Sequence, residues 1–359
     1  MKLLYLAGSV LGSDSANSVH VMQMCAALGQ AGHAVTLLAR EGTLATTALY
    51  DHYGVEPAFA IERVPFTRRW HLLAYLRRAR SLGCFDLLLG RYLYGLLALR
   101  ECAPRFCYEV HDAPSAPRAL LEQRLLRDPR CAALVTITGA LAEHYRSRFA
   151  VLPEPLILPD AAQAAATIKA PRRSGRLVAG YAGAFYRGRG LPLLLALART
   201  LPAVEFRLAG GSAADLAREL PADSMLPPNL HCVGRLAPAT VAEFLGECDL
   251  LLAPYEDRVA VAGNRGDTAA WCSPLKIFEY MAQGKAVLAS ALPGLSEVLE
   301  HERNALLLPP QQLQPWVDAV TRLDADRDEA VRLGAAALAQ FQAQHSWRQR
   351  AQRLLDHVG

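Results

Sequence analysis

The segment Ser273-Pro274-Leu275-Lys276-Ile277-Phe278-Glu279-Tyr280-Met281 sets a cation and a carboxylate just behind a helix-starting proline. Proline suits the first turn of a helix, where its missing N–H is not needed. The free N–H groups and the dipole of that turn attract an anion. Lys276 falls in this first turn, where a cation opposes the dipole unless it serves a phosphate. Glu279 follows three residues later and shares a helix face with it. A cation for phosphate beside a carboxylate for sugar hydroxyls is what a nucleotide-sugar site needs. The same spacing also describes a surface Lys–Glu pair on an ordinary helix.

Two histidines are further candidates. His111 follows a predicted strand at Phe106–Val110, and function collects at strand ends in α/β sheets. Its neighbour Asp112 points to the opposite side and is not expected to orient it. Glu109 receives no role. His20, near the start of the first helix, either faces phosphates or helps to cap that helix. The loop from Gly8 to Asn17 lacks a Gly-x-Gly-x-x-Gly, so a dinucleotide cofactor is not supported. Arg63 to Arg80 carries arginines at 63, 68, 69, 77, 78 and 80, with Trp70, Leu72, Leu73, Tyr75 and Leu76 interleaved and no acid. If helical, this stretch makes a basic amphipathic surface for weak contact with anionic lipid. A solvated helix packed by its leucines is the alternative.

The elements that must position these residues alternate in type. Leu3–Ala7 is an apolar run of the kind found in buried parallel strands. A helix follows, with Ser18 as its expected N-cap, and then a strand at Ala34–Ala39. Further strands are predicted at Asp86–Leu89 and Leu134–Thr138. The proline-rich stretch Val151–Asp160 and the charged segment Lys169–Arg176 argue against regular structure and mark a linker. The pattern then restarts. Strands are expected at Leu177–Tyr181, Val204–Leu208, Asp249–Ala253 and Ala286–Ala289. Helices are expected at Leu191–Arg199, Val241–Glu247 and Leu275–Ala282, and two more between Asp326 and Val358. Two runs of βαβ units predict an α/β protein of two doubly wound, Rossmann-like domains with an interdomain cleft. The expected bounds are 1–160, 170–340, and a terminal helix at 341–359 returning to the first domain.

Composition excludes several classes. The 359 residues are 52% hydrophobic and 20% charged, which rules out bulk disorder. A net charge of +4 does not suggest a nucleic-acid binder. The eight cysteines include no Cys-x2-Cys pair, so a zinc ribbon or thioredoxin motif is unsupported, and reduced, mostly buried thiols are expected. No apolar run is long enough to span a membrane, and Lys2 to Leu11 reads as a buried strand rather than a signal peptide. A cytoplasmic protein, with peripheral contact at the inner face of a membrane as an option, is the expectation.

The donor segment resembles that of glycosyltransferase family 4, in the subgroup reading Ser-Pro-Leu-Lys-x-Phe-Glu-Tyr-Met. Other segments match in order: Ala16–Arg40, Tyr108–Asp112 (YEVHD), Tyr181–Gly190 (YAGAFYRGRG), Leu230–Arg235, Asp249–Tyr255 and Ser346–Arg350. The resemblance implies the GT-B fold, with the donor held mainly by the second domain, no metal, and retention of anomeric configuration. It implies that Glu279 accepts hydrogen bonds from the ribose hydroxyls, while Lys276 and Arg189 hold the diphosphate, assisted by Arg187 and the turn at Gly183. The backbone around Ser273, Pro274 and Leu275 would meet the distal phosphate. Base recognition is expected near Val233 to Arg235 and Pro254. Asn17 and His20 would face the donor, and His111 the reacting sugar. Arg189 stands where the family usually has lysine. Trp271 stands where many members have a glutamate that contacts the donor sugar, so sugar contacts are sought in Gly263–Asp267 (GNRGD).

The activity so implied is retaining transfer from a UDP- or GDP-sugar to a hydroxyl of a glycan, lipid-linked or small acceptor, in cell-surface or exopolysaccharide synthesis. No cofactor and no nucleic-acid partner are expected. A non-catalytic partner subunit on the same fold, or a sugar-nucleotide epimerase, are the alternatives.

Overall fold

The computed structural model describes residues 1–65, 71–114, 116–169, 172, 174–219, 225–260 and 267–359. It contains two compact units. Unit 1 is Met1–Pro159 together with Trp347–Gly359, and unit 2 is Asp160–Ser346.

In chain order, the first stretch runs β1 (Lys2–Val10), α1 (Ala16–Gln30), β2 (Ala34–Arg40), α2 (Thr46–Tyr53), β3 (Ala60–Val64), α3 (His71–Ser81), β4 (Leu87–Gly90), α4 (Leu93–Leu99), β5 (Arg105–Val110), α5 (Ala116–Leu126), β6 (Cys131–Thr136), α6 (Gly139–Arg148) and β7 (Leu156–Ile157). The second runs β8 (Val178–Ala182), α7 (Leu191–Thr200), β9 (Glu205–Ala209), α8 (Ala213–Glu219), β10 (Leu230–Gly234), α9 (Val241–Gly246), β11 (Leu250–Ala253), α10 (Leu275–Ala282), β12 (Ala286–Ser290), α11 (Pro293–Ser296), β13 (Leu306–Leu308), α12 (Leu313–Ala325) and α13 (Arg327–Gln344). The last helix, α14 (Trp347–Val358), belongs to unit 1.

The sheet of unit 1 has the order β3-β2-β1-β4-β5-β6-β7, and that of unit 2 the order β10-β9-β8-β11-β12-β13. The strand pairs of both sheets are parallel. Within each unit the order reads 3-2-1-4-5-6, the doubly wound Rossmann arrangement, with an extra edge strand in unit 1. The direction of winding reverses between β1 and β4 in unit 1 and between β8 and β11 in unit 2. Ligands bind beyond the strand ends at such a point.

Burial explains the apolar strand runs. In unit 2, Ala179, Tyr181, Leu250, Leu252, Ala286 and Leu288 pack into one core with Trp316. The alternate residues Val178, Ala182, Leu251, Ala253, Val287 and Ala289 pack into the other with Phe278 and Met281. Both faces are thus covered, so these strands read as continuous hydrophobic stretches rather than as alternation.

Several boundaries differ from the sequence reading. The N-cap of α1 is Ser15, whose side chain accepts from the Ser18 amide. Ser18 instead turns inward, is fully buried, and donates to Val10 O at 3.1 Å. Pro274 is the N-cap of α10, one position earlier than the first-turn placement expected. The proline-rich stretch forms β7, paired to β6. At the sheet edge a missing N–H is tolerated. Arg63 to Arg80 is not one helix. Arg63 ends on β3 and donates to Gly42 O and Leu44 O at 2.7 and 2.8 Å, and α3 begins at His71. Arg68, Arg69 and Trp70 lie outside the described residues. Among the described residues no helix is long and apolar enough to cross a membrane.

Candidate functional site

Unit 2 collects its candidates at the switch point. Strand β8 ends at Ala182, and the Gly183–Gly190 turn leads into α7; Pro254 and Tyr255 follow β11. Helix α10 is pinned beneath both strands by Tyr280, whose hydroxyl accepts from Ala182 N at 2.8 Å and reaches Leu252 O at 3.3 Å. Ser290 Oγ donates to Tyr255 O at 2.5 Å and fixes the next turn.

This scaffold brings Lys276 against Gly183. A Cβ added to Gly183 would lie 2.5 Å from Lys276 Nζ, and the backbone there has φ +152°, so only glycine leaves room for the lysine. Gly190 is similarly required: with φ +76°, a side chain would overlap the Pro254 carbonyl.

Lys276 is 8% exposed, and its ammonium has no hydrogen-bond partner. It lies 3.9 Å from the centre of the Tyr181 ring and 5.1 Å from that of Tyr255. Arg189 is half-buried, 5.2 Å from the Tyr255 ring, and makes a 3.4 Å bond to Ala260 O. Burial, with Arg189 close by, pushes the Lys276 ammonium well below its ordinary pKa. Glu279, half-buried on the same helix, moves the other way. Burial raises its pKa to about 7, with Lys276 opposing and the buried Asp160 adding to the rise. Both groups thus shift toward their neutral forms, as expected for charges out of water without adequate partners. Ser273 is buried with its hydroxyl unpartnered. A bound phosphate would supply the missing anion and acceptors.

The other donor-side candidates are less concentrated. Arg187 is exposed on the same turn. Arg235 is exposed after the edge strand β10, whose end is tied to the turn after β9 by a 2.8 Å bond from Gly210 N to Gly234 O. Trp271 is half-buried on a short 3-10 turn at Ala269–Trp271. Of the Gly263–Asp267 loop only Asp267 is described, and its carboxylate accepts from Val259 N and Ala269 N, both at 3.0 Å.

Unit 1 holds a second polar cluster. Glu109, at the end of β5, is 6% exposed. Its Oε1 lies 2.9 Å from His20 Nε2, 2.5 Å from His111 Nε2 and 3.0 Å from Arg350 Nη2. Burial raises the Glu109 pKa, but Arg350, His20 and His111 outweigh it and hold the carboxyl well below its usual range. His20 stacks edge-to-face on both His111 and Trp347, with ring centres 5.0 Å apart in each pair. Asn17, on the first turn of α1, is half-buried with Oδ1 unpartnered. Asp112 accepts from Ala113 N at 2.8 Å and caps its own turn.

Glu109, Arg350 and Trp347 received no role in the sequence reading, although all three fall in segments that matched the family, Tyr108–Asp112 and Ser346–Arg350. Glu109 and His111 are two residues apart along an extended segment and share a face. Arg350 and Trp347 lie more than 230 residues further along the chain, and only the fold brings them to Glu109.

A family model described as glycosyl transferase-like matches residues 189–356. Solved structures match along almost the whole chain. Sucrose-phosphate synthase from Thermosynechococcus elongatus is 19% identical, with a TM-score of 0.75 over 99% of this chain and 98% of that one. Anabaena HepE, solved with UDP and glucose, is 15% identical, with a TM-score of 0.73 over 100% and 99%. TarM from S. aureus is 10% identical, with a TM-score of 0.76 over 100% of both chains. Among curated proteins none matches. The fold is that of these structures: GT-B, with two Rossmann-like α/β units.

Proposed function

We propose that this chain is a retaining, metal-independent glycosyltransferase of family 4, transferring a sugar from a nucleoside diphosphate sugar to a hydroxyl acceptor. The observation that carries this reading is the buried, unpartnered ammonium of Lys276, with Arg189 nearby, at the start of α10. Two cations at the switch point of a Rossmann-like unit suit a diphosphate. Glu279, when ionised, accepts from the two ribose hydroxyls. Lys276 and Arg189 stabilise the departing diphosphate, the role a metal takes elsewhere. The amides around Ser273 and Leu275 and the Gly183 turn line the phosphates, with Arg187 and Arg235 at the rim. His111, with Asn17 and His20, belongs to the acceptor-side unit.

The glycosyl transferase-like match over residues 189–356, and the UDP-bound HepE and TarM structures, support a nucleotide-sugar donor, UDP- or GDP-linked. Cell-surface or exopolysaccharide synthesis is the setting we propose. It includes weak contact with anionic membrane through exposed Arg77 and Arg80 beside the exposed Leu73. Failure to cosediment with anionic vesicles at low salt would remove that contact. The donor reading is tested by thermal shift with UDP, GDP, CMP and ADP on wild type and Glu279→Ala. A nucleotide at 100 times its Kd stabilises by about 2.7 kcal/mol. We expect a shift with one base, reduced in the variant. No shift with any of the four would favour a non-catalytic subunit, a reading to which Trp271 in place of an acid also points.

A further inference from the structure

We propose that unit 2 carries a second small-molecule site, at the amino ends of its strands: a pocket between Arg176 and Arg199 that takes an oxyanion, phosphate or carboxylate, on a short apolar body. The inference does not rest on the glycosyl-transfer reading.

The pocket has a volume of about 370 Å3, and its walls include Arg176, Arg199, Asn229 and the three rings of Pro202, Pro227 and Pro228. Pockets that bind small molecules start at about 300 Å3, so this one has room for a small ligand. Arg176 stands two residues before β8, Pro202 three before β9, and Asn229 directly before β10. These strands run parallel, so the pocket lies at the opposite end of the sheet from Gly183, which follows β8. It is therefore distinct from the site built on Lys276 and Arg189.

Main-chain oxygens hold both guanidinium groups in place. Arg176 donates from Nε to Ala203 O at 3.1 Å and from Nη2 to Pro202 O at 2.9 Å. Arg199 donates from Nη2 to Met225 O at 2.9 Å. Among the described residues neither arginine forms an ion pair. The carboxylate of Glu205 is engaged first by Arg207, through a 2.6 Å hydrogen bond, and Arg176 only adds to the lowering of its pKa from further away. A guanidinium has five N–H donors. Nη1 of both arginines and Nε of Arg199 donate to no described residue and are left for a ligand. A fixed guanidinium fork matches the oxygens of a phosphate or carboxylate.

Helix α7 ends at this pocket, and free carbonyls at a helix C-terminus repel an anion. Here they are occupied. Asn229 Nδ2 lies 2.9 Å from Ala198 O, 3.0 Å from Leu201 O and 2.8 Å from Val204 O. The wall is left with two positive charges and three apolar rings, a surface for an anionic head and an apolar body.

The test is calorimetric titration of phenyl phosphate, and separately benzoate, into the full chain at constant ionic strength. Wild type, Arg199→Gln, Arg176→Gln and Lys276→Met are compared. Arg199 is exposed and gives up one main-chain bond, so its variant should fold, which its melting temperature checks. We expect saturable binding of at least one probe to wild type. Binding should persist in Lys276→Met, which removes a cation of the other candidate anion site, and weaken about tenfold or more in Arg199→Gln. Binding of neither probe, binding abolished by Lys276→Met, or binding unchanged in both arginine variants would overturn the site. The glycosyl-transfer reading stands or falls separately, on nucleotide binding at Lys276.

Discussion

The two units share a strand order but treat charge in opposite ways. In unit 1, Glu109 is buried with its counter-ion, Arg350, and two imidazoles, and its carboxylate is held ionised. In unit 2, Lys276 is buried without a hydrogen-bond partner, and it and Glu279 both shift toward neutrality. The same scaffold therefore carries one buried carboxylate whose charge is matched within unit 1 and one buried ammonium that lacks a hydrogen-bond partner in unit 2. On the proposed reading a charged donor supplies what the unit 2 ammonium lacks.

The comparison can be broken most severely at Arg350. Removing one partner of a buried pair leaves an uncompensated charge, and Arg350→Ala should cost about 3–5 kcal/mol in urea unfolding. The double variant with Glu109→Leu should recover most of that loss. A cost near zero for Arg350→Ala would mean that unit 1 is not held by its own ion pair. The matching change in unit 2 should behave differently. Lys276→Met removes a buried ammonium that has no hydrogen-bond partner. The unliganded protein should hold its melting temperature or rise, because an unpaired buried charge destabilises. Nucleotide affinity should fall by roughly 10–150-fold, the value of a hydrogen bond to a charged group at about 1.5–3 kcal/mol.

Acidity sharpens the contrast. Glu279 has its pKa raised to about 7, above that of the unfolded chain. Between the ordinary carboxylate range and about 7 the folded state keeps a proton that the unfolded state has lost. The stability it contributes is present at low pH and declines as pH rises through that window. Nucleotide binding should move the opposite way, strengthening as Glu279 ionises. Glu279→Gln should flatten both profiles between pH 5 and about 8, as followed by thermal denaturation and calorimetric titration. A wild-type binding profile that does not change across this window would deny Glu279 its role.

Gly183→Ala is a smaller perturbation. Its Cβ would meet the Lys276 side chain, and its φ of +152° strains any other residue. A loss of about 1–3 kcal/mol is expected, with nucleotide affinity reduced alongside. Arg187→Ala should be the mildest. Its side chain is exposed, and stability should change by no more than about 0.5 kcal/mol.

Much of the fold was visible in the sequence because its strands are covered on both faces. Runs such as LLLG and LLLA are continuous apolar stretches, and such runs between helical periods signal a parallel sheet. Edge elements were harder to read. Strand β3 has only one fully buried residue, and β7 is two residues long within a proline-rich stretch. The unit 2 site was readable because one short helix and one glycine turn carry most of it in sequence-local form. The unit 1 cluster was not, since its counter-ion comes from α14 and local patterns do not encode a pair so far apart in the chain. Arg63 to Arg80 misled for the reverse reason. A dense local pattern suggested one amphipathic helix, yet Arg63 is on a strand and Arg78 pairs with Glu62 at 2.6 Å.

The most direct test is calorimetric titration of UDP, and separately GDP, into wild-type protein and Lys276→Met at neutral pH. Saturable binding of one nucleotide to wild type, lost or weakened at least about tenfold in a folded Lys276→Met, is the predicted result. Equal binding to both proteins, or no binding to wild type, would contradict the claim that unit 2 is an anion-completed nucleotide site.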